Sequence, residues 1–263
     1  MDTMQIYRAL QYVACWSVLA LLVVCAPACA KTPAQGAAMV ANRDMVWSAY
    51  DGLRREIFFS TQQTGGRWAE PVQLTNDNAD NILPCIITTP DGKKYVVWTA
   101  MEQADLAVRY AVFDGTAWSE AKAVPGLPEM ATMPFVAVDD TGILWLVFVG
   151  NDGSGHDDIY CIRLHNGSWE KAFRVNADNN VPDVNPFIEI DQDGAIQVTW
   201  EGFRNNGYVL LTSRWLGDRC AEEQPLAQED QKKLQQNRKM LEEEQLPDFV
   251  EDRSMLFIRT NNE

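Results

Sequence analysis

Carboxylate and amide side chains gather in several loops of this 263-residue chain. Hydrolysis of a glycosidic bond needs two carboxyl groups roughly 5–9.5 Å apart, and Asn and Asp side chains also suit the hydroxyl groups of a sugar. The residues predicted to line a ligand-binding face are Asp77, Asp80, Asp105, Asp152, His156, Asp157, Asp178, Asp183, Glu201 and Arg204. Those that could supply a carboxyl pair are Asp77, Asp80, Asp105, Asp157, Asp178 and Glu201. Sequence spacing does not single out a pair among them. The sequence therefore predicts a ligand-binding face and assigns no catalytic residue.

Metal chemistry has less support. The segment from Asp152 to Asp158 offers clustered oxygen ligands for Ca²⁺, but it lacks the Asp-x-Asp-x-Asp-Gly order of a dedicated calcium loop. Calcium therefore stays an alternative, and no cofactor is predicted. A structural zinc site is disfavoured because the chain has only two histidines, His156 and His165, and no Cys-x-x-Cys pair.

The candidate loops belong to a unit that repeats about every 50 residues. The landmarks that keep this phase are Trp68, Trp118 and Trp169, Pro84, Pro134 and Pro186, Gly92, Gly142 and Gly194, and Trp47, Trp98, Phe148 and Trp200. Within each unit, short alternating runs rich in β-branched and aromatic residues are separated by turn pairs such as Asp91-Gly92. Each unit is therefore predicted to be a four-stranded antiparallel meander.

A four-stranded meander cannot bury both of its faces alone, and radial packing of such sheets produces a β-propeller. The sequence predicts an all-β propeller of about four blades over residues 31–217, with blade one beginning at Ala37–Val40. The repeated tryptophans are predicted to pack between blades rather than to stack on sugars, because they occupy equivalent strand positions.

The pattern changes after Gly217, and residues 218–252 are predicted to be a helical excursion. Ala227–Gln245 is rich in Gln, Glu, Lys and Leu and predicts one helix, which Pro247 ends. Residues 253–263 are predicted to join the propeller through a strand at Ser254–Thr260. Because blade four lacks an evident fourth strand, this segment is expected to supply the outer strand of that blade.

The first thirty residues have the order of an export signal, with basic Arg8, an apolar run over Val13–Ala26 and small residues up to Ala30. We therefore expect a periplasmic or secreted protein with no transmembrane span in the mature chain. A lipid anchor at Cys29 is an alternative, because the residues before it loosely resemble a lipoprotein cleavage box. The formal charge of −15 disfavours nucleic acid and anionic membranes as partners.

The mature chain would keep three cysteines, Cys85, Cys161 and Cys220. An oxidising compartment favours disulfides, and an odd number of cysteines allows at most one internal disulfide. The sequence does not decide which two of the three would pair.

The units resemble the Asp-box repeats of sialidase-like propellers, whose motif is Ser-x-Asp-x-Gly-x-x-Trp. Gly65 and Gly115 stand three residues before their tryptophans, as in that motif, whereas the Asp position holds Gln63 and Phe113. The resemblance implies a propeller fold. The family also carries an Arg-Ile-Pro tripeptide whose arginine holds a substrate carboxylate. The tripeptides that end here at Pro84, Pro134 and Pro186 contain no arginine, which argues against sialidase activity.

These observations favour an exported, non-catalytic recognition propeller that binds a glycan or a protein. The binding face is expected where the longer, Asn- and Asp-rich loops emerge, because propellers carry their sites on loops held by a rigid scaffold. One alternative is a glycoside hydrolase of the sialidase-like class that uses loop carboxylates. Another is a structural protein of the cell envelope.

Overall fold

The computed structural model describes residues 43–103, 105–151, 153, 155–191, 193–242, 246–250 and 256–260. The predicted export signal, Cys29 and the expected first strand Ala37–Val40 lie outside these residues. Within the described part, four antiparallel sheets and one α-helix form the fold. No helix in that part is long and apolar enough to cross a membrane.

Blade two shows the repeating pattern. Its strands, from the propeller axis outward, are β4 (Asp80–Thr88), β5 (Lys94–Glu102), β6 (Asp105–Phe113) and β7 (Lys122–Ala123). The turn between the first two follows from local chemistry, because Gly92 adopts a positive φ of 83° that glycine tolerates without strain. Hydrogen bonds from Lys93 and Thr89 to the Asp91 carboxylate stabilise the same turn and lower the pKa of Asp91 to about 2.

Blades three and four repeat the pattern. Blade three consists of β8 (Thr132–Val138), β9 (Leu144–Gly150), β10 (Asp158–His165) and the short outer pieces β11 (Ser168–Trp169) and β12 (Phe173–Arg174). Blade four consists of β13 (Asp183–Ile190), β14 (Ile196–Arg204), β15 (Gly207–Arg214) and β16 (Gln224–Pro225). The predicted all-β propeller of four-stranded blades is confirmed.

Blade one combines both ends of the described chain. It consists of β1 (Arg43–Tyr50), β2 (Arg55–Thr61) and β3 (Val72–Gln73), with β17 (Leu256–Thr260) as its innermost strand. The expectation that the C-terminal strand would be the outer strand of blade four is wrong, because β17 pairs with β1 and β16 fills the outer position of blade four. The physical reason is burial. Outer strands such as β16 are exposed, whereas Leu256, Phe257 and Ile258 are all buried.

The blades pack face to face through their repeated aromatic residues. Trp98 and Phe148 lie in one core that joins blades one, two and three, and Trp200 lies in a second core that joins blades three and four. All three side chains are fully buried. The prediction that the repeated aromatic residues pack between blades is confirmed for these three, whereas Trp47 packs against residues 246–250 and not against another blade. Burial of large aromatic rings provides much of the stability of the interfaces.

The axis of the propeller is filled by phenylalanine. Phe135 of blade three lies 4.9 Å from Phe187 of blade four and 5.6 Å from Phe257 of blade one, measured between ring centroids. Rings from the inner strands of blades one, three and four therefore meet. At the level of these rings, side chains and not an open channel occupy the centre.

A helical segment lies between blade four and blade one. Helix α1 (Gln228–Glu242) lies beside blade four, where Asp230 and Lys233 interact electrostatically with Glu189 of β13. Residues 246–250 then cover the face of blade one that no other blade covers, and there Phe249 stacks on Trp47 at 5.4 Å. The predicted helix over Ala227–Gln245 is confirmed for its described part.

Candidate functional site

The described candidate residues lie near one end of the axis, where the inner strands begin and the second strands end. We call this the loop end. Asp152 lies outside the described residues, and Asp105 is exposed at the start of β6. The predicted contrast in loop length between the two ends is weak. At the opposite end the connections 62–71 and 215–223 are also long, because the outer strands have only two residues each. At the loop end, the hairpins after β5 and β14 are tight turns.

The junction between blades one and two uses several of the candidate side chains for internal bonds. Asp77 accepts hydrogen bonds from the Ala79 amide (2.9 Å), Asn81 Nδ2 (3.0 Å) and Arg109 Nη1 (2.7 Å). Asp80 accepts one from the Arg55 amide at 3.0 Å. Both carboxylates therefore hold the loop between the blades.

Beneath this loop lies a buried network that we call the first junction, formed by Glu56, Thr75, Asn81 and Trp98. Thr75 accepts a hydrogen bond from the Ile57 amide at 2.8 Å and donates to Glu56. Asn81 donates to Glu56 at 3.1 Å and accepts from Trp98 Nε1 at 2.7 Å. Burial raises the pKa of Glu56, and the hydrogen bonds from Thr75 and Asn81 oppose that rise.

The same positions form a second junction between blades three and four, with Asp158, Asn176, Asp183 and Trp200. Asn176 Nδ2 donates to Asp158 (2.8 Å) and to Asp183 (2.7 Å), and its Oδ1 accepts from the Ile159 amide (2.9 Å). Trp200 Nε1 donates to Asp183 at 3.0 Å. Two buried carboxylates therefore share one amide. Burial raises the pKa of Asp183, and the charge of Arg204 opposes that rise.

Two arginines balance the charge of the second junction. Arg174 lies 3.6 Å from Asp158 and bonds Asp178 at 2.5 Å, where Asp178 remains exposed. Arg204 lies 3.3 Å from Asp183 and 2.7 Å from Glu223. Asp183 and Arg204 are thus brought together by an ion pair, as is favoured for a buried carboxylate, whereas Asp178 pairs separately with Arg174.

Sequence reasoning missed Glu223 and Gly202. Glu223 accepts hydrogen bonds from Arg204 and from the Ala177 amide at 3.1 Å, so it ties the outer segment of blade four to the loop before that blade. A Cβ at Gly202 would lie 2.6 Å from Asp183 Oδ1, which explains why glycine stands beside this carboxylate. Gly202 has a repeat counterpart in Gly150, which likewise stands two residues after the second-strand aromatic residue, whereas only the folded neighbourhood identifies Glu223.

The inner strands carry a recurrent distortion at the loop end. Leu83, Met133 and Asn185 each precede a repeat proline, and each adopts a positive φ between 52° and 58° within a β-bulge. Such a conformation is unfavourable for leucine and methionine, so the surrounding fold must enforce it. At the third position Asn185 Nδ2 donates to Glu201 at 3.1 Å.

Blade four presents a distinct strip of side chains on the face that points away from blade three. Trp200 faces blade three, so Glu201 and Phe203 point to the opposite face of β14. Tyr208 pairs with Phe203 across the hairpin, and their rings form an edge-to-face contact at 5.3 Å. We call Asn185, Glu201, Phe203 and Tyr208 the blade-four strip. Tyr208 is 46% exposed.

The remaining candidates do not join a shared centre. Asp157 lies 3.4 Å from Asn151 through a side-chain hydrogen bond, and its carbonyl accepts from the Asp183 amide. His156 is half-buried in the same loop. In the described part of the chain, no group of three or more His, Cys, Asp or Glu residues could hold a metal ion. The calcium alternative falls partly on Asp152 and is not tested.

Comparison with known proteins supports the fold class. No family model and no curated protein matches this chain. A protein of unknown function from Dyadobacter fermentans matches with a TM-score of 0.55 and 10% identity over 65% of this chain and 58% of its own. A Hadza microbial sialidase matches with a TM-score of 0.50 and 15% identity over 64% of this chain and 40% of its own.

At such low identity these likenesses establish the fold alone. The described chain is a β-propeller, and it shares this fold with a sialidase. It spans about three fifths of the first neighbour and two fifths of the second. The Asp-box assignment stays a prediction.

Proposed function

We propose that the protein is a non-catalytic recognition propeller that binds a glycan at the loop end of blade four. The blade-four strip supports this proposal most strongly. It places an amide, a carboxylate and two aromatic rings along one face of a rigid sheet. Aromatic rings pack on the apolar faces of sugars, and amide and carboxylate groups bond the hydroxyls, a combination typical of small-ligand sites.

The fate of the other carboxylates favours recognition over hydrolysis. Asp158 and Asp183 are 2% and 0% exposed, and both are bonded to Asn176. Asp77 bonds Arg109 and the loop backbone. A general acid must reach the bond that it cleaves. Asp158 and Asp183 instead face the interior, and the partly exposed Asp77 is held in its ion pair with Arg109. The contact between Phe135 and Phe257 on the inner strands of blades three and one further limits the depth of any central depression.

The test is a glycan array probed with the wild type and with Tyr208→Ala, alongside a panel of chromogenic glycosides. Loss of the exposed ring is expected to weaken binding roughly tenfold or more, which corresponds to about 1.4 kcal/mol. Glu201→Gln keeps the shape of the strip and is expected to weaken binding by altering hydroxyl recognition. Tyr50→Ala is the matched control, because Tyr50 is an exposed tyrosine of blade one.

Equal binding by the wild type and Tyr208→Ala would remove the blade-four strip from the proposal. If the wild type hydrolyses a glycoside and Glu201→Gln abolishes that hydrolysis, the hydrolase alternative would be established instead. Absence of both binding and turnover would favour a protein ligand or a structural role. The extracytoplasmic location, on which access to a glycan depends, stays a prediction that N-terminal sequencing of the mature protein would check.

A further inference from the structure

The three described cysteines occupy two different environments. Cys85 is buried in the core that joins the first three blades, where it lies beside the axis on β4. Cys161 of β10 is buried in the core between blades three and four, and the half-buried Cys220 packs against that same core. Two thiols therefore meet at one blade interface, and the third is held in another.

The surroundings of Cys161 and Cys220 bring them together from both sides of the interface. In the β-ladder of blade three, the backbone of Cys161 lies opposite Phe173. In blade four, the backbone of Cys220 forms an isolated antiparallel β-bridge with Trp215. The rings of Phe173 and Trp215 lie 4.9 Å apart. The two sulfur atoms are near enough that a negative charge on Cys220 would raise the pKa of Cys161, and Cys220 shares a hydrogen bond with Ser213 of β15.

We propose that Cys161 and Cys220 form a disulfide that links blade three to the outer segment of blade four. The reaction needs a disulfide oxidant, either a low-molecular-weight disulfide or a disulfide oxidoreductase. One protein thiolate attacks the oxidant and releases a thiol, and the second protein thiolate then displaces the other thiol from the mixed disulfide. The two cysteines lose two electrons and two protons in total, and the oxidant becomes two thiols.

Burial gives this cross-link a recognisable kinetic signature. Removal from water raises the pKa of Cys220 to about 11 and also raises the pKa of Cys161. Since the thiolate is the attacking species, little of it exists at neutral pH. The rate of cross-linking should therefore rise roughly tenfold per pH unit across the neutral to mildly alkaline range. Once formed, the bond encloses three strands of blade four, and constraint of the unfolded chain stabilises the native state.

The experiment compares protein oxidised by glutathione disulfide with protein reduced by dithiothreitol. Peptide mass spectrometry of the non-reduced digest is expected to find Cys161 joined to Cys220 and Cys85 as a free thiol. The oxidised protein should melt about 5–15 °C above the reduced protein. Cys220→Ser should abolish the difference, whereas Cys85→Ala, the matched control, should retain it.

Other outcomes would overturn the proposal. They are a linkage that includes Cys85, a stable glutathione adduct on Cys220, or full alkylation of both Cys161 and Cys220 after oxidation. Because the readout is a covalent linkage in the purified chain, it does not depend on whether the blade-four strip binds a glycan.

Discussion

The first and second junctions use the same four positions with different chemistry. In each, the second-strand tryptophan donates to the residue three before a repeat proline, Asn81 or Asp183. In each, a side chain after the outer strand, Thr75 or Asn176, caps an amide of the third strand. The first junction has one buried carboxylate, Glu56, and Asn81 also donates to the partly exposed Asp77 of the loop above it. The second has two fully buried carboxylates that share one amide donor.

The junction between blades two and three lacks this network. The residue after Val124, in the position of Thr75, is Pro125, and the residue three before Pro134 is Ala131. There the hydroxyl groups of Thr99 and Thr132 share a buried hydrogen bond at 3.2 Å instead. Blade packing therefore does not require the network of the first and second junctions. We infer that the Asn and Asp residues of the loops mainly form hydrogen bonds with buried backbone and side-chain groups, because buried polar groups need such partners. Their abundance alone is not evidence of a ligand site.

The largest expected difference in stability between the two junctions follows removal of the central hydrogen-bonding side chain of each. Asn176→Ala removes the donor to Asp158 and Asp183 and the acceptor of the Ile159 amide. We therefore expect a loss of about 3–5 kcal/mol in the free energy of unfolding. Thr75→Ala in the first junction affects one carboxylate and one amide and is expected to cost about 1–3 kcal/mol. Denaturant unfolding of both variants measures this. Equal costs would show that the second carboxylate makes no difference.

The sequence predicted the blades well because their signal is local and repeated. The prolines, glycines and aromatic residues recur with one period, and strands of five or more residues follow from alternation around them. The partner of the C-terminal strand is a long-range property that no period contains. The continuous apolar run Leu256-Phe257-Ile258 was the available signal, since it is typical of a strand buried on both faces.

The sequence predicted which residues gather at the loop end, but it did not predict the contacts that those residues make. Asn176 and Asn179 look alike in the sequence, yet Asn176 is 6% exposed between two carboxylates while Asn179 lies at the surface of the loop. What separates them is their distance from Asp158, which belongs to another strand. Glu201 and Phe203 gain their proposed role from the side of β14 that blade three leaves uncovered, which is again a property of the assembled ring.

A milder test removes only the indole donor of each junction. Trp200→Phe removes a hydrogen bond to the buried Asp183 carboxylate. Trp98→Phe removes the corresponding hydrogen bond to the neutral side-chain carbonyl of Asn81. Hydrogen bonds to charged groups contribute about 1.5–3 kcal/mol and neutral ones about 0.5–1.5 kcal/mol. Trp200→Phe should therefore be the more destabilising by about 1 kcal/mol, as chemical denaturation can resolve. The opposite order would indicate that Arg204 already compensates the Asp183 charge.

The smallest expected effect is a difference between the two junctions in how the free energy of unfolding depends on pH. The pKa of Asp183 is raised in the folded state, chiefly by burial. The native protein therefore holds that proton more tightly than the unfolded chain, and Asp183 lowers stability as pH rises from about 3.8 through its folded pKa. Asp183→Asn removes this dependence. We expect the free energy of unfolding of the variant to lie within about 1 kcal/mol of the wild-type value at pH 7. Near pH 3.5 the variant should be less stable relative to the wild type than it is at pH 7.

The converse substitution, Asn81→Asp, supplies the control. It places a second carboxylate beside Glu56, whose pKa burial already raises, and it removes the amide that donates to Glu56. Its deficit relative to the wild type should therefore grow as pH rises, because both carboxyl groups ionise in a buried site. Urea unfolding between pH 3.5 and 7 follows both variants. Parallel pH profiles for Asp183→Asn and Asn81→Asp would mean that the residues around each junction, and not the count of carboxylates, set its pH response.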